Sequence, residues 1–515
     1  MQCRRIWWYK RLRYYTVQRM KYDYVIIGAG VSGMTAALIL AKNGFDVALV
    51  EKSKKTAPLI RGFTRKGIYF DTGFHHTGSL GKNEILDILF NYLGLSDRLE
   101  KEPYNPDGFD LLRCMQSGFE FRFPYGYERI QERLFEKFPG EAKAFKKYLV
   151  AIKETFDSFP YIKLDPNRLE ISTQKSLQGP SLKEFLDRST DNQQLKWVLS
   201  LHCMLHGVPP EEVPFAYHAC IAGSYYESVH RIKGGGMCLA KAYNSQLKDL
   251  GVDVYCGQEA VEIYISSDHS PSGIRLKDGT ELHCRGCVST IHPKNFLNLL
   301  PDTIFRPAYR KRLQQLEETC SALILYAGCS NLPQSLTRNN LLITSDWDLT
   351  GLRPKDPLEN RPLYVCQAHQ PNGKDSKKGL IAIVPASSGQ TDRWSDSIPG
   401  QRPQDYIQFK KSAGHKLQRY IEDCVPEIVG NIKSAECSTP LTLRDFANNP
   451  FGSIYGVKHK VGQYNPIPVT KIKGLFLAGQ ATVAPGILGT AISAFLACGF
   501  ILGHKQLIKQ LQKYK

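Results

Sequence analysis

Tyr24-Val25-Ile26-Ile27 is an unbroken apolar run, rich in β-branched residues, that stops at Gly28 and has the length of one buried strand. From Val31 to Lys42 the apolar and alanine positions take helical spacing and end before Gly44, which predicts a helix. Asp46 to Glu51 predicts the next strand. A second patterned block opens at Lys233-Gly234-Gly235-Gly236-Met237 with a helix running toward Leu250. It continues with strands at Val252-Asp253-Val254-Tyr255 and Ala260 to Ile265, a turn at Gly279-Thr280-Glu281, and a strand at Cys287-Val288-Ser289-Thr290. Near the end, Gly474-Leu475-Phe476-Leu477-Ala478-Gly479-Gln480 reads as a strand with a glycine stop, and Pro485-Gly486-Ile487-Leu488-Gly489-Thr490-Ala491 opens a last helix. Strands alternating with helices predict an α/β fold of the Rossmann-like, dinucleotide-binding kind.

The first block carries chemistry as well as pattern. Gly28, Gly30 and Gly33 stand between a predicted strand and helix, and Glu51 follows at the distance of about 20 residues that marks a dinucleotide site. Gly28 allows the tight turn, Gly30 lets backbone approach a pyrophosphate, and Gly33 lets helix and strand pack closely. Val31 and Ser32 open the helix whose N-terminus attracts the phosphates, and Glu51, with Lys52 beside it, is placed to accept hydrogen bonds from ribose. A plain strand-turn-helix without ligand would require neither the glycine spacing nor the acid. Whether the dinucleotide is FAD or a nicotinamide is not decided by this block alone.

The uncharged stretch from Gly474 to Gly503 is long enough to cross a bilayer. Pro485, four glycines (Gly479, Gly486, Gly489, Gly499) and the polar Gln480, Thr482, Thr490 and Ser493 interrupt it, so a buried strand, loop and helix is the better reading.

With 515 residues, 42% hydrophobic and 23% charged, the composition is that of a folded enzyme of two or three domains, soluble or attached to a surface. The dinucleotide segments lie far apart, so the cofactor domain is expected to be discontinuous, over 21–83, 228–293 and 439–515. The stretches 84–227 and 294–438 are assigned to an α+β substrate domain. The net charge of +18 first suggests nucleic acid, but zinc-finger spacing, aromatic RNA-binding signatures and long basic runs are missing from the body of the chain. The charge is read as a solvated basic surface with attraction to anionic lipid headgroups. In the arm at 1–20, Arg4, Arg5, Lys10, Arg11, Arg13 and Arg19 interleave with Trp7, Trp8, Tyr9, Tyr14 and Tyr15, a mixture suited to a membrane interface; the alternative is that Met20 starts the native chain. Fourteen cysteines without a secretory signal point to free thiols in a reducing cytoplasm, with peripheral membrane contact. Cys284 and Cys287 beside His283 form one close pair with no second pair at ligand spacing, so no metal is assigned.

The glycine triplet, Gly67-Ile68-Tyr69-Phe70-Asp71-Thr72-Gly73-Phe74-His75-His76-Thr77-Gly78, the Lys233 to Met237 run and Gly474 to Leu496 together resemble the carotenoid and retinoid oxidoreductases. This is the family of phytoene desaturases and carotenoid isomerases, and within it the retinol saturases are nearest. The resemblance implies FAD and a flavin amine oxidase-like architecture, with the flavin ring beside the carboxy-terminal motif. Gly479, Gln480, Gly489, Thr490, Ala491 and Ala260 then join the cofactor ligands. Amides of Gly489, Thr490 and Ala491 at a helix start would stabilise the negative charge of a reduced flavin by about 0.3 to 2 kcal/mol. The resemblance also places His75 and His76 near the flavin, where an imidazole can orient substrate or move a proton. Tyr455, in Gly452-Ser453-Ile454-Tyr455-Gly456, is a candidate for the cavity wall near the flavin, the alternative being a packed aromatic.

Two departures stand out. Relatives carry a glycine pair where this chain has Ala57-Pro58, which leads us to expect altered backbone contacts there, with Arg61 or Arg65 supplying charge to the pyrophosphate. No carboxylate stands near Gln480, so Gln480 is left to serve the ribitol or phosphate. The function expected is FAD-dependent redox chemistry on carbon-carbon double bonds of an apolar polyene or isoprenoid. Polyene isomerisation without net redox, amine oxidation and a non-catalytic membrane-associated relative are the alternatives.

Overall fold

The computed structural model describes residues 20–167, 178–349, 352, 354, 356–368 and 378–515; the basic aromatic arm up to residue 19 lies outside them. In the first sheet the strands Asp253–Cys256, at one edge, Val47–Glu51, Met20–Ile27 and Glu281–Ser289 run parallel in that spatial order. Leu475–Leu477 adds to Glu281–Ser289, also in parallel. Pro271–Leu276 and Ala260–Ile265 extend the sheet by antiparallel pairing. Every residue of the Val31–Lys42 helix from Val31 to Leu40 is buried, because the helix lies between this sheet and the Gly486–Leu502 helix and has no solvent face.

The second sheet is mixed, in the order Ile432–Ser438, Ser321–Cys329, Lys378–Ala386, Leu363–Gln367, Asn340–Thr344, Asp110–Cys114, Phe119–Phe123. Its two faces separate with the two-residue period of a strand. Leu323, Leu325 and Ala327 pack with Leu417 and Ile421 of the Gln404–Cys424 helix, while Ala322, Ile324 and Tyr326 turn the other way and join the main core. On that second side, toward the cavity described below, stand Leu342, Tyr364 and Ile383.

Several boundaries differ from the sequence reading. The strand expected at Cys287 begins at Glu281, because pairing with Met20–Ile27 holds the polar segment His283-Cys284-Arg285-Gly286 extended. Cys284 and Cys287 are therefore strand residues, both free thiols. Pro271–Leu276 carries proline and glycine, which hid its strand character. The uncharged carboxy-terminal stretch resolves into a three-residue strand, a loop and the Gly486–Leu502 helix, and no helix among the described residues is long and apolar enough to cross a membrane.

Candidate active site

One cavity of about 740 Å³ runs between the two sheets and collects the dispersed motifs on a shared wall. Gly28, Gly30, Val31, Ser32, Glu51, Lys52, Ala260, Gly479, Gln480, Gly489 and Thr490 all line it, as do His75, His76 and Tyr455. Gly33, Arg61 and Ala491 do not line it, each for its own reason.

A Cβ on Gly33 would sit 1.8 Å from the Gly28 carbonyl oxygen, so this glycine is a packing residue between helix and turn. Gly30 has open space where a Cβ would stand, which leaves the backbone bare toward the cavity at the start of a helix. The Glu51 carboxylate accepts the Ala29 amide on Oε2 (2.8 Å) and the Ser53 amide on Oε1 (2.7 Å), and each oxygen keeps a lone pair for a ribose hydroxyl. A bare glycine turn, a helix N-terminus and an oriented carboxylate on one wall fit the adenosine diphosphate half of FAD.

Ser493, in sequence only a polar interruption of the carboxy-terminal stretch, ties the carboxy-terminal motif to the amino-terminal one. Its Oγ donates to the Thr490 carbonyl (2.6 Å), accepts the Gly479 amide (2.8 Å) and lies 3.1 Å from Ser32 Oγ, which itself donates to the Thr490 carbonyl. Thr290 does the same for the first turn, its hydroxyl reaching the carbonyls of Ile27 and Gly28 at 3.0 Å. Neither residue announces itself in sequence, since a lone serine on a helix or threonine after a strand has no motif.

The expectation for the carboxy-terminal amides shifts by one turn. The helix begins at Gly486, so the amides without intrahelical partners belong to Gly486, Ile487, Leu488 and Gly489. Those of Thr490 and Ala491 bond back along the helix, and Ala491 is buried inside the core. Gly489 also has a steric role, because a Cβ there would meet the Ala484 carbonyl oxygen at 2.6 Å.

The arginine expectation is corrected as well. Arg61 donates to the carbonyls of Lys55 (2.7 Å) and Thr56 (3.0 Å), and Arg65 pairs with Glu436 at 3.2 Å, so both guanidinium groups are held away from the cavity. Ala57 keeps the backbone course of a glycine, with φ of 54°, and its amide donates to the Ala29 carbonyl at 2.8 Å. The replacement of a glycine here therefore leaves the turn in place.

Tyr455 lines the cavity, but its hydroxyl donates to the Met204 carbonyl at 2.9 Å. It stands as a wall whose proton is committed. His76 is buried and its Nδ1 lies 3.3 Å from the Tyr364 hydroxyl. Three tyrosine rings surround its imidazole: Tyr104 at 5.5 Å, Tyr225 at 5.4 Å and Tyr364 stacked at 6.2 Å. His75 reaches Tyr364 at 6.1 Å between ring centres.

Cys203, His206 and His218 also converge, with candidate ligand atoms within 4.8 Å of one another. Hydrogen bonding accounts for them. The Val208 amide donates to His206 Nδ1 (3.4 Å), which places the proton of that neutral ring on Nε2, and Nε2 then donates to His218 Nδ1 (3.2 Å). His218 Nε2 donates to the Tyr148 hydroxyl (3.1 Å), and Tyr148 donates to the Leu199 carbonyl (3.1 Å). Burial pushes the pKa of His206 down to about 3 and that of His218 well below its usual value, as this neutral chain requires. The ring lone pairs of His206 and His218 that a metal would take are already used.

Two sheets enclosing a groove that gathers a dinucleotide turn, an acidic ribose ligand and a carboxy-terminal helix start define an FAD-binding α/β oxidoreductase. The profile of the flavin containing amine oxidoreductase family matches residues 31–498, and the chain belongs to that family. It is similar to the all-trans-retinol 13,14-reductase of Danio rerio, at 24% identity over 94% of this chain and 86% of that protein. It is also similar to the 4,4'-diapophytoene desaturase (4,4'-diaponeurosporene-forming) of Staphylococcus haemolyticus, at 23% identity over 89% of this chain and 94% of that one. Among solved structures, an oxidoreductase from Methanosarcina mazei shares the fold with a TM-score of 0.64 and 16% identity, covering 92% of this chain and 99% of its own. The protein is an FAD-dependent oxidoreductase.

Proposed function

We propose that the protein transfers hydrogen at carbon-carbon double bonds of an apolar polyene or isoprenoid. The observation that carries this reading is the character of the cavity beyond the dinucleotide ligands, where Phe156, Phe159, Ile162, Leu205, Ile221 and Leu352 form the wall. The retinoid and carotenoid relatives support the same substrate class. Amine oxidation is the weaker reading. An amine arrives as a cation, and a carboxylate free to pair with it would favour its capture. Glu51, Glu259 and Asp445 are the carboxylates on the wall among the described residues, and all three are engaged. Glu51 holds two amides, Glu259 pairs with Lys52 at 3.0 Å, and Asp445 pairs with Arg402 and Arg444.

Bound FAD supplies hydride exchange at the flavin ring. The amides of Val31 and Ser32 would hold the pyrophosphate, Glu51 the ribose, and the Gly486 to Gly489 amides the charge of the reduced ring. The segments 21–83, 228–293 and 439–515 act as the cofactor domain, and 84–227 with 294–438 as the substrate domain. The basic surface serves peripheral contact with the membrane in which such a substrate dissolves.

The test is direct. Purified protein carries a flavin spectrum that dithionite bleaches, and anaerobic incubation of the dithionite-reduced protein with retinol or with lycopene isomers changes product mass by two hydrogens. An unchanged mass with a changed double-bond geometry replaces this reading with isomerisation, and colourless protein that refuses FAD overturns it.

A further inference from the structure

We propose that Tyr364 exchanges the proton that accompanies hydride transfer, and that His76 positions the Tyr364 hydroxyl and resupplies its proton; this rests on the polyene reading above. Reduction of a double bond needs a hydride on one carbon and a proton on the other. In an apolar cavity the proton must come from one of few side chains, and most of the hydroxyls on this wall are already committed. Tyr455 donates to Met204 (2.9 Å), Ser224 to Ile221 (2.7 Å) and Ser321 to Gly452 (2.6 Å), in each case to a backbone carbonyl, which passes no proton on. Tyr364 differs, because its hydroxyl shares a 3.3 Å hydrogen bond with an imidazole that itself lines the cavity.

The surroundings hold this pair in place. Tyr364 comes from the Leu363–Gln367 strand, Tyr225 from the Phe215–Glu227 helix, and Tyr104 from the segment after the Lys101–Pro103 strand, and their rings enclose His76, with His75 beside it. The other groups acting on these tyrosines are Cys366, Asp110, Asp71 and Arg231. Burial raises the Tyr364 pKa well above its usual value, so the phenol keeps its proton until one is returned from behind. An imidazolium at His76 would meet ring faces that attract cations.

The step balances as follows. One carbon of the double bond gains the hydride that reduced FAD supplies, with its electron pair. The other carbon gains the Tyr364 hydroxyl proton as the π bond is lost, and the His76 imidazolium returns a proton to the Tyr364 oxygen through Nδ1. The substrate is reduced by two electrons, the flavin is oxidised, and the neutral imidazole is reprotonated from solvent.

Tyr364→Phe and His76→Gln test the proposal in the FAD-loaded protein. Tyr364→Phe is expected to keep the flavin spectrum and its bleaching by dithionite while kcat falls about 10²- to 10⁴-fold, the usual contribution of a positioned acid, with KM little changed. His76→Gln is expected to flatten the fall of wild-type kcat with rising pH. Independently of turnover, the His76 imidazole resonance, identified by its loss in His76→Gln, should titrate at a different pH in Tyr364→Phe. Turnover with an unchanged kcat and pH profile in both variants, or an unaltered His76 titration, removes the proposal alone. A wild type that leaves every polyene unchanged in mass removes the substrate reading and this proposal with it.

Discussion

Asp71 has no exposed surface, yet its Oδ1 accepts the Gly236 amide at 2.7 Å and the Tyr69 hydroxyl at 2.9 Å. It thereby caps the helix that opens at Gly235 and locks the segment bearing His75 and His76 against the second glycine run. Asp71→Ala strands that amide in the interior, and a loss of about 1.5 to 3 kcal/mol is expected from denaturant unfolding, with Asp71→Asn losing less because it keeps an acceptor. Ala57 poses the opposite case. A left-handed alanine costs roughly 1 to 2 kcal/mol, whereas glycine costs roughly 0.5 to 1 kcal/mol in unfolded-chain entropy. The strain outweighs the entropy, but the substitution also removes a methyl group buried in the core, worth about 0.8 kcal/mol, so Ala57→Gly should leave stability within about 1 kcal/mol of wild type in the same assay.

At the scale of elements, Ser493 shows how three remote motifs become one groove. Its hydroxyl engages the Gly479 amide and the Thr490 carbonyl and lies beside Ser32. Ser493→Ala leaves the buried Gly479 amide without its acceptor at a cost of about 1 to 3 kcal/mol, and the variant is expected to lose FAD on gel filtration more readily than wild type. The strands and helices around that groove were legible because their patterns are local: an apolar run before Gly28, helical spacing to Lys42, glycines at the turns. What escaped depends on pairing across the chain. Glu281 to Gly286 becomes strand only beside Met20–Ile27. The conformation of Ala57 is set by its bond to Ala29, and Arg61 is turned aside by carbonyls of its own loop. Tyr364 lies on a strand of the second sheet, in a region where the motifs carry no signal, and meets His76 across 288 residues.

For the whole molecule, buried neutral histidines make acid a global stress. Desolvation lowers His206 to about 3 and His292 and His459 to about 4, with His218 also well below its usual value. The unfolded chain therefore binds more protons than the folded one below pH of about 6.5, and stability is full above that value and declines as pH falls toward the folded values. Each such ring adds a slope approaching about 1.4 kcal/mol per pH unit. Thermal melts should hold level from pH 8 to about 7 and drop steeply below about 6, and a midpoint that stays flat to pH 4 would contradict the neutral assignment. The parallel sheet has a further consequence for biosynthesis. Leu475–Leu477 completes it, and the Gly486–Leu502 helix covers Val31–Lys42. Until residues 475–502 have emerged, the edge of Glu281–Ser289 and the apolar flank of the first helix are therefore bare, and the groove for FAD does not yet exist. A nascent chain therefore has no complete FAD groove before the Gly486–Leu502 helix emerges, and cofactor loading reports that this helix has docked.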